Sequence, residues 1–175
     1  EFNLAPNPQG PVYGIVSRMT GQKGFELLPE VLTPLLQQND VRLCVLGSGE
    51  KKLERYFQWL RDTFPDKVGV YFGYKNPLSH RIEAGSDVFL MPSRYEGYGM
   101  PILEAMAAGS AGVASTSTCL PEVSAGIWDT CDPDDPNAWA HAIDRLVGEE
   151  AAHDAAVEGG LAHAATRTRD EWARP

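Results

Sequence analysis

Short apolar runs recur along the chain, and each is followed by turn residues and then by a segment with helical spacing. The runs are PVYGIVSR, DVRLCVLGSG, KVGVYFGY, SDVFLMPS and SAGVAST, with GIWDTCD as a sixth candidate. They are apolar throughout rather than alternating, which predicts strands buried on both faces of a sheet. Glycine weakens a strand, so Gly112 counts against the prediction for SAGVAST.

The segments after the first two runs predict amphipathic helices. EKKLERYFQWLRDTF places Leu53, Phe57 and Leu60 on one side of a helix. GFELLPEVLTPLLQQ shows similar spacing, but it contains two prolines. Pro29 suits a first helical turn, whereas Pro34 predicts a kink because proline removes a backbone donor.

Further helices are predicted toward the C-terminus. PLSHRIEAG is a short helix, and GMPILEAMAAG has Pro101 near its first position and Gly109 at its end. CLPEV predicts a turn. PNAWAHAIDRLVG and EEAAHDAAVEGGLAHAATRTRDEWA predict two last helices, the second of them broken at Gly159 and Gly160.

Strands and helices thus alternate at the spacing of βαβ units. This predicts an open parallel sheet in a doubly wound, Rossmann-like α/β domain. We expect an N-terminal segment at 1–10, the sheet domain at 11–150, and a C-terminal helix and tail at 151–175. Such sheets bind ligands at the carboxyl ends of their strands, so the residues of a ligand site are expected in the loops that follow the strands.

The loop after the first strand, SRMTGQKG at 17–24, carries Arg18 and Lys23 among glycines. Glycine lets the backbone approach a ligand, and both cations can bind phosphate, so this loop is a candidate anion site. A pair of solvated cations in an exposed loop explains the pattern equally well. The loop has neither the G-x-x-x-x-G-K-[ST] nor the G-x-G-x-x-G pattern.

The next two loops give weaker indications of a site. In LGSGE, Gly47 could bring the backbone close to a nucleotide, but a plain turn with Ser48 capping the next helix is favoured. In FGYKN, Tyr74 follows a strand end, where its ring could stack on a base. Packing is the commoner role for a tyrosine at such a position.

The loop after the fourth strand, RYEGYGMPILEA, places two glutamates around the start of a helix. The amides of Gly99 and Met100 would point outward from the first turn, where the helix dipole favours phosphate. Glu96, before the turn, would face a sugar, and Glu104, one turn into the helix, would accept hydrogen bonds from ribose hydroxyls. The alternative is two ordinary glutamates near a helix N-terminus, where acids are favoured.

Composition narrows the classes of partner. The chain is 43% hydrophobic and carries a net charge of −9, which disfavours nucleic-acid binding. It has no apolar run long enough to span a membrane and no secretory signal, so we expect a cytoplasmic protein, or a stromal one in a plastid. The cysteines contain no CxxC pair, the histidines show no ligand spacing, and DPDD at 132–135 is better explained by helix capping than by a metal.

Charge is distributed unevenly along the chain. Residues 1–91 contain ten basic and ten acidic side chains, whereas residues 92–175 contain five arginines, no lysine and fourteen acidic side chains. Alanine also becomes frequent after residue 95. Either the second part is simply rich in alanine helices, or two ancestries join near residue 95.

In this order, the loops resemble the C-terminal half of a GT-B retaining glycosyltransferase. Residues 11–95, from PVYGIVSRMTGQKG to HRIEAGSDVFLMPSRYE, are similar to glycogen and starch synthases. From EGYGMPILEAMAAG through STSTCLPEV and DPDDPNAWAHAIDRLV, the chain is more similar to the group of sucrose synthases and mannosyltransferases. The specific combination is S-R-x-x-x-Q-K-G, then P-S-R-x-E, then E-x7-E.

The resemblance implies a nucleotide-sugar donor, ADP-glucose or UDP-glucose, as the ligand. It implies that Arg18 and Lys23 hold the diphosphate and that the amides of Gly99 and Met100 meet a phosphate. No metal cofactor is then needed, because the cations and the helix end neutralise the leaving diphosphate.

The resemblance also implies roles for three further side chains. Tyr74 would stack on or near the base, Glu96 would contact the donor sugar and support the transition state, and Glu104 would bind the ribose. GT-B enzymes place their active site between two domains, so we expect the half that binds a glucan or other acceptor to precede residue 1. The isolated chain should then bind donor weakly and transfer little.

The sequence departs from the glycogen and starch synthases in one respect. They typically continue with E-P-x-G-L-x-Q and lack the second glutamate, so the change in resemblance agrees with the change in composition near residue 95. A recombined or engineered half-domain without transferase activity is therefore one alternative. A transferase of the second group, with another donor and acceptor, is a further one.

Overall fold

The computed structural model describes Phe2, Leu4, Ala5 and residues 10–167. Its strands are β1 (Val12–Val16), β2 (Arg42–Gly47), β3 (Val68–Phe72), β4 (Val88–Met91), β5 (Ala111–Ser115) and β6 (Asp129–Cys131). Its helices are α1 (Leu28–Gln38), α2 (Lys51–Thr63), α3 (Asn76–Gly85), α4 (Met100–Ala107), α5 (Leu120–Ser124), α6 (Pro136–Gly148) and α7 (Glu150–Thr166), with a 3-10 turn at Gly21–Lys23.

The six strands form one sheet in the order β3-β2-β1-β4-β5-β6, and every neighbouring pair is parallel. This confirms the predicted doubly wound, Rossmann-like α/β fold. The chain moves outward from β1 to β3, returns to pair β4 with the other side of β1, and continues to β6. The order reverses between β1 and β4, and such a switch point leaves a crevice at the carboxyl ends of the strands.

Burial on both faces explains the apolar runs. All residues of β2, β4 and β5 are buried. Helix α2 buries the predicted stripe of Leu53, Phe57 and Leu60 against this sheet, and each such side chain contributes about 1.5–3 kcal/mol. Cys44 is the buried thiol expected in β2, and burial raises its pKa to about 11.

Strand β5 forms in spite of Gly112, because a close contact requires glycine there. A Cβ atom at this position would lie 2.5 Å from the Trp128 ring and 2.7 Å from the carbonyl oxygen of Phe89. The glycine therefore makes room for the Trp128 indole, which is almost fully buried.

The predictions for the segments that form α7 and α5 are wrong, and packing explains the error for α7. Helix α7 runs without a break through Gly159 and Gly160. A Cβ at Gly160 would lie 3.1 Å from Met106 of α4, and one at Gly159 would lie 3.0 Å from Ile127, so the glycines allow close approach. CLPEV forms the short helix α5 rather than only a turn. The end of the predicted last helix, beyond residue 167, lies outside the described residues.

Helix α1 has Pro29 in its first turn, as predicted, and continues through Pro34. Proline at position 34 removes only the hydrogen bond to the carbonyl of Glu30 in the first turn, so the helix can persist.

The shift in charge near residue 91 has no counterpart in the sheet, because β4 pairs with β1 on one side and with β5 on the other. Among the described residues, no helix is long and apolar enough to cross a membrane.

Candidate active site

A cavity of about 350 Å³ opens at the carboxyl ends of β1 to β4, at the switch point of the sheet. The loops after β1, β2, β3 and β4 line one part of it, and helices α3 and α4 line the rest. Of the residues predicted from the sequence, the cavity brings together Arg18, Lys23, Gly47, Tyr74, Glu96 and Glu104. These residues come from five different segments, and the fold is what places them side by side.

The loops after β1 and β4 interlock beside this cavity. Gly24 has a φ of +71°, and a Cβ atom there would lie 1.8 Å from the carbonyl oxygen of Pro92. The amides of Arg94 and Tyr95 both donate to the carbonyl oxygen of Gln22, at 3.0 and 3.2 Å. The glycine after Lys23 is therefore needed to let the two loops meet.

This contact pairs two largely enclosed charges of the site. Lys23 Nζ lies 2.6 Å from Glu96 Oε2, and the two side chains are 12% and 16% exposed. Lys23 Nζ also approaches the carbonyl oxygen of Tyr95 at 3.4 Å. An ammonium group has three donors, so it can hold Glu96 and still offer a donor to an anionic ligand.

The other predicted cation is placed differently. Arg18 is exposed at the cavity rim and, within the described part of the chain, has no ion-pair partner. A free guanidinium can form a bidentate contact with a phosphate. The cavity therefore contains one enclosed, paired cation and one available cation.

The loop after β2 serves close packing rather than helix capping. A Cβ at Gly47 would lie 1.9 Å from the carbonyl oxygen of Ser17, so glycine is required for β1 and β2 to end together. Ser48 lines the cavity and does not cap α2, whose N-cap is Glu50. The expected Ser48 cap is wrong, because the helix starts two residues further on.

Tyr74 is accessible, as the predicted base-stacking role requires. It is 74% exposed and lines the cavity, and its hydroxyl donates to Asn76 Oδ1 at 2.8 Å. The ring is therefore tethered at its tip while its faces remain accessible.

The start of α4 follows the predicted geometry in part. Gly99 is the N-cap, with a φ of +66°, and is packed against Val123, while Met100 begins the helix. Pro101 has no N–H, and the Ile102 amide donates to the carbonyl oxygen of Gly99 at 3.0 Å, so the amides of Gly99 and Met100 are the ones without an acceptor within the helix. Pro101 and Glu104 line the cavity, whereas Gly99 and Met100 are adjacent to it and do not.

One face of α3 adds residues that the sequence did not single out. Ser79, His80 and Glu83 line the cavity, and His80 Nδ1 lies 3.1 Å from Glu83 Oε2. Burial raises the pKa of the Glu83 carboxyl, the hydrogen bond from His80 opposes that shift, and the charge of Glu104 adds to it. Helical spacing of these polar side chains in NPLSHRIEAG was the available signal.

The DPDD segment caps α6, as predicted. The Asp135 carboxylate accepts hydrogen bonds from the amides of Asn137 and Ala138, at 3.0 and 3.1 Å. Asp132 accepts from the amide of Asp134, whose own carboxylate pairs with Arg94. Among the described residues, no group of three or more His, Cys, Asp or Glu is placed to hold a metal ion.

Doubly wound α/β domains bind their ligands in the crevice at the switch point of the sheet, which is where this polar cavity lies. Residues 10–149 match the family of group 1 glycosyl transferases. Since this match spans most of the 175 residues, the chain belongs to that family.

Individual relatives agree with this assignment. A glycogen synthase from Bacillus licheniformis is 37% identical over 140 residues, which are 80% of this chain and 29% of that protein. The catalytic domain of starch synthase IV from Arabidopsis thaliana, bound to ADP and acarbose, superposes with a TM-score of 0.78 at 22% identity, covering 95% of this chain and 41% of that one.

A third protein matches over nearly its whole length. The C-terminal domain of a group 1 family glycosyl transferase from Francisella tularensis has a TM-score of 0.71 at 20% identity, and 95% of each chain is covered. The fold is therefore that of the C-terminal half of a GT-B enzyme. Family and fold together support a donor-binding domain of a glycosyltransferase, and this chain spans less than a third of the glycogen synthase that it matches.

Proposed function

We propose that this chain is the donor-binding half of a retaining glycosyltransferase that moves glucose or a related sugar from an ADP- or UDP-sugar to a glucan-type acceptor. The observation that carries the proposal is the convergence of Arg18, Lys23, Glu96 and Glu104 on one cavity at the sheet's switch point. The similarity to glycogen synthase favours glucose and a glucan acceptor. The cytoplasmic location expected from the sequence remains part of the proposal.

In this proposal the cations bind and stabilise the diphosphate. Arg18 contacts it from the rim, and Lys23 uses a donor that Glu96 does not occupy. As the bond between the sugar and the phosphate breaks, negative charge grows on the diphosphate, and fixed positive charge lowers that barrier. The amides of Gly99 and Met100 would contribute in the same way, and no metal cofactor is required.

The two glutamates and the tyrosine would orient the rest of the donor. Glu96 is held by Lys23 with its carboxylate at the cavity, where it would accept hydrogen bonds from the sugar hydroxyls. Glu104 would accept from the ribose hydroxyls, and the exposed ring of Tyr74 would stack on the base. Carboxylates repel phosphate, so the diphosphate belongs near the cations and the hydroxyl groups near the acids.

Titration calorimetry with ADP, UDP and GDP tests the proposal. We expect one nucleotide to bind measurably better than the other two, and chelator to leave that binding unchanged. Heats that are absent for all three would favour a half-domain without transferase activity. With the preferred nucleotide sugar and a glucan primer, the isolated chain should give no transfer, because it matches only 29% of the glycogen synthase's length.

Variants of the two cations test the diphosphate contact. Arg18→Ala and Lys23→Ala should each weaken diphosphate binding by roughly ten-fold or more, because each removes a charge-assisted hydrogen bond, and should hardly affect the nucleoside. Arg55→Ala and Lys52→Ala, at exposed positions of α2, are matched controls that should change neither. Equal losses for nucleotide and nucleoside would contradict the phosphate role.

A further inference from the structure

Thr118, in the loop between β5 and α5, has a backbone conformation that its side chain disfavours. Its φ is +53°, in the left-handed region. A β-branched residue is an outlier there, because its Cβ crowds the backbone. Among the described residues, Ala125 at the end of α5, with a φ of +51°, is the only other non-glycine residue with positive φ. Strain of this kind persists where the surrounding structure imposes it.

The strained segment holds the backbone of Glu96. The amide of Glu96 donates to Thr118 Oγ1 at 3.1 Å, and Cys119 Sγ donates to the Glu96 carbonyl oxygen at 3.4 Å. Two consecutive residues, 22 and 23 positions further along the chain, thus bind the two backbone polar groups of Glu96, its amide and its carbonyl oxygen. The carboxylate of the same residue is bound to Lys23 and to the amide of Gly97.

The loop that carries Thr118 is itself anchored to the loop after β4. Ser115 Oγ donates to the carbonyl oxygen of Ser93 and accepts from the amide of Ser117. Ser93 and Ser115 are both nearly fully buried, so this anchor is firm. The left-handed turn at Thr118 then brings its hydroxyl back over Glu96.

We propose that Thr118 is a positioning residue, whose strained backbone sets its hydroxyl against the Glu96 amide and thereby holds the Glu96 carboxylate at the cavity. Glycine would adopt this backbone without strain, but it has no hydroxyl to offer. The consequence for the donor sugar rests on the role proposed above for Glu96. The hydrogen bond between Thr118 and the Glu96 amide does not depend on that role.

Amide hydrogen exchange of Glu96, measured by NMR on the whole chain, tests the contact directly. The Thr118→Ala variant still places a Cβ atom in the left-handed region but loses the hydroxyl. Exchange of the Glu96 amide should become about five-fold faster, which corresponds to the loss of one typical hydrogen bond. Thr118→Gly should do the same, whereas Thr118→Ser, which retains a hydroxyl, should not. Unchanged exchange in Thr118→Ala would overturn the proposal.

Ligand binding separates positioning from a general structural role. For whichever of ADP and UDP binds more tightly, Thr118→Ala should reduce the affinity for its glucose ester by roughly two- to ten-fold and leave the affinity for the nucleotide unchanged. Thr118→Ser should restore the sugar preference. Ala125→Gly, which relieves similar strain without removing a hydroxyl, is the control and should alter neither affinity.

Two results would count against positioning. Equal losses of nucleotide and nucleotide sugar in Thr118→Ala would show a general disturbance of the loop, as would matching losses in Ala125→Gly. If the wild-type chain binds nucleotide and nucleotide sugar equally, the proposed sugar contact of Glu96 fails. The exchange of the Glu96 amide then still decides whether Thr118 holds that residue.

Discussion

The two walls of the cavity hold their charges in different ways. One, which we call the paired wall, consists of the loops at 17–24 and 92–97, where Lys23 and Glu96 neutralise each other at 2.6 Å. The other, the acidic wall, consists of α3 and α4, where Glu83 is buried and Glu104 is exposed. On the acidic wall Glu83 contacts His80, which is charged only when protonated.

The difference indicates how the site can orient a ligand. The paired wall is tightly packed around the Lys23–Glu96 ion pair, with Arg18 left available at its rim, so it offers fixed hydrogen-bond geometry. The acidic wall accumulates acceptors, one of them with a raised pKa caused by burial. Buried carboxyl groups with a raised pKa lower the stability of the folded chain and are typical of functional sites.

The largest effect is expected from breaking the packing of the paired wall. Gly24→Ala would set a Cβ 1.8 Å from the carbonyl oxygen of Pro92, at a φ of +71°. The loops must separate or the backbone must distort, so we expect the free energy of unfolding to fall by about 3 kcal/mol or more in urea titration.

Gly148→Ala is the control for that change. Gly148 ends α6, and a Cβ there would meet nothing within 4 Å. Alanine favours a helix, so the free energy of unfolding should rise or stay within about 1 kcal/mol. Similar losses in the two variants would show that Gly24 is not the close contact described.

A smaller effect is expected from the ion pair. Lys23→Ala and Glu96→Ala should each cost about 1–3 kcal/mol, because each leaves a partly enclosed charge without its partner. The double variant should cost less than the sum of the single variants by at least about 0.5 kcal/mol. Urea titrations of all four proteins give this coupling energy.

Lys51 and Glu54 form the matched control pair. They lie 2.7 Å apart on α2, but the lysine is 83% exposed. Exposed pairs of this spacing couple by less than about 0.5 kcal/mol. If the two pairs gave the same coupling energy, enclosure by the paired wall would have no energetic consequence.

The smallest effect concerns the acidic wall and depends on pH. Since burial raises the pKa of Glu83, the folded chain binds this proton more tightly than the unfolded chain does. Protonated Glu83 therefore stabilises the folded chain at low pH. This contribution to the free energy of unfolding is lost as the pH rises above about 4.3, the pKa of a glutamate in the unfolded chain. Glu83→Gln removes that loss, so it should be more stable than the wild type at pH 7 and lose this advantage near pH 4.

Glu158→Gln is the comparison for this variant, because Glu158 is exposed on α7. Thermal unfolding at several pH values should show a pH-dependent difference from the wild type for Glu83→Gln and none for Glu158→Gln. A Glu83→Gln variant that is less stable at pH 7 would show that its bond with His80 outweighs the cost of burial.

Much of the fold could be predicted from local pattern. The apolar runs correspond to β1 through β6, and the α2 stripe is buried as its spacing predicted. The errors fall where distant packing overrides local preference. The glycines of α7 continue a helix because α4 and Ile127 lie against them, and Ser48 lines a cavity because α2 begins later than expected.

The candidate site was predicted less completely. Arg18, Lys23, Tyr74, Glu96 and Glu104 line one cavity, but their roles toward a ligand remain predictions. Gly99 and Met100 are adjacent to it rather than in its lining. Glu83 and Thr118 were not identified, because the burial of one and the backbone angle of the other depend on residues far away in the chain.

The sequence by itself determined the alternation of strands and helices and the position of cations and glutamates after the strands, because these depend on short-range periodicity and turn chemistry. Only the tertiary structure decided that Lys23 meets Glu96, 73 residues away, and that Thr118 holds the same glutamate. The physical reason is the reversal of strand order. It sets β4 beside β1, so loops far apart in sequence must share one edge of the sheet.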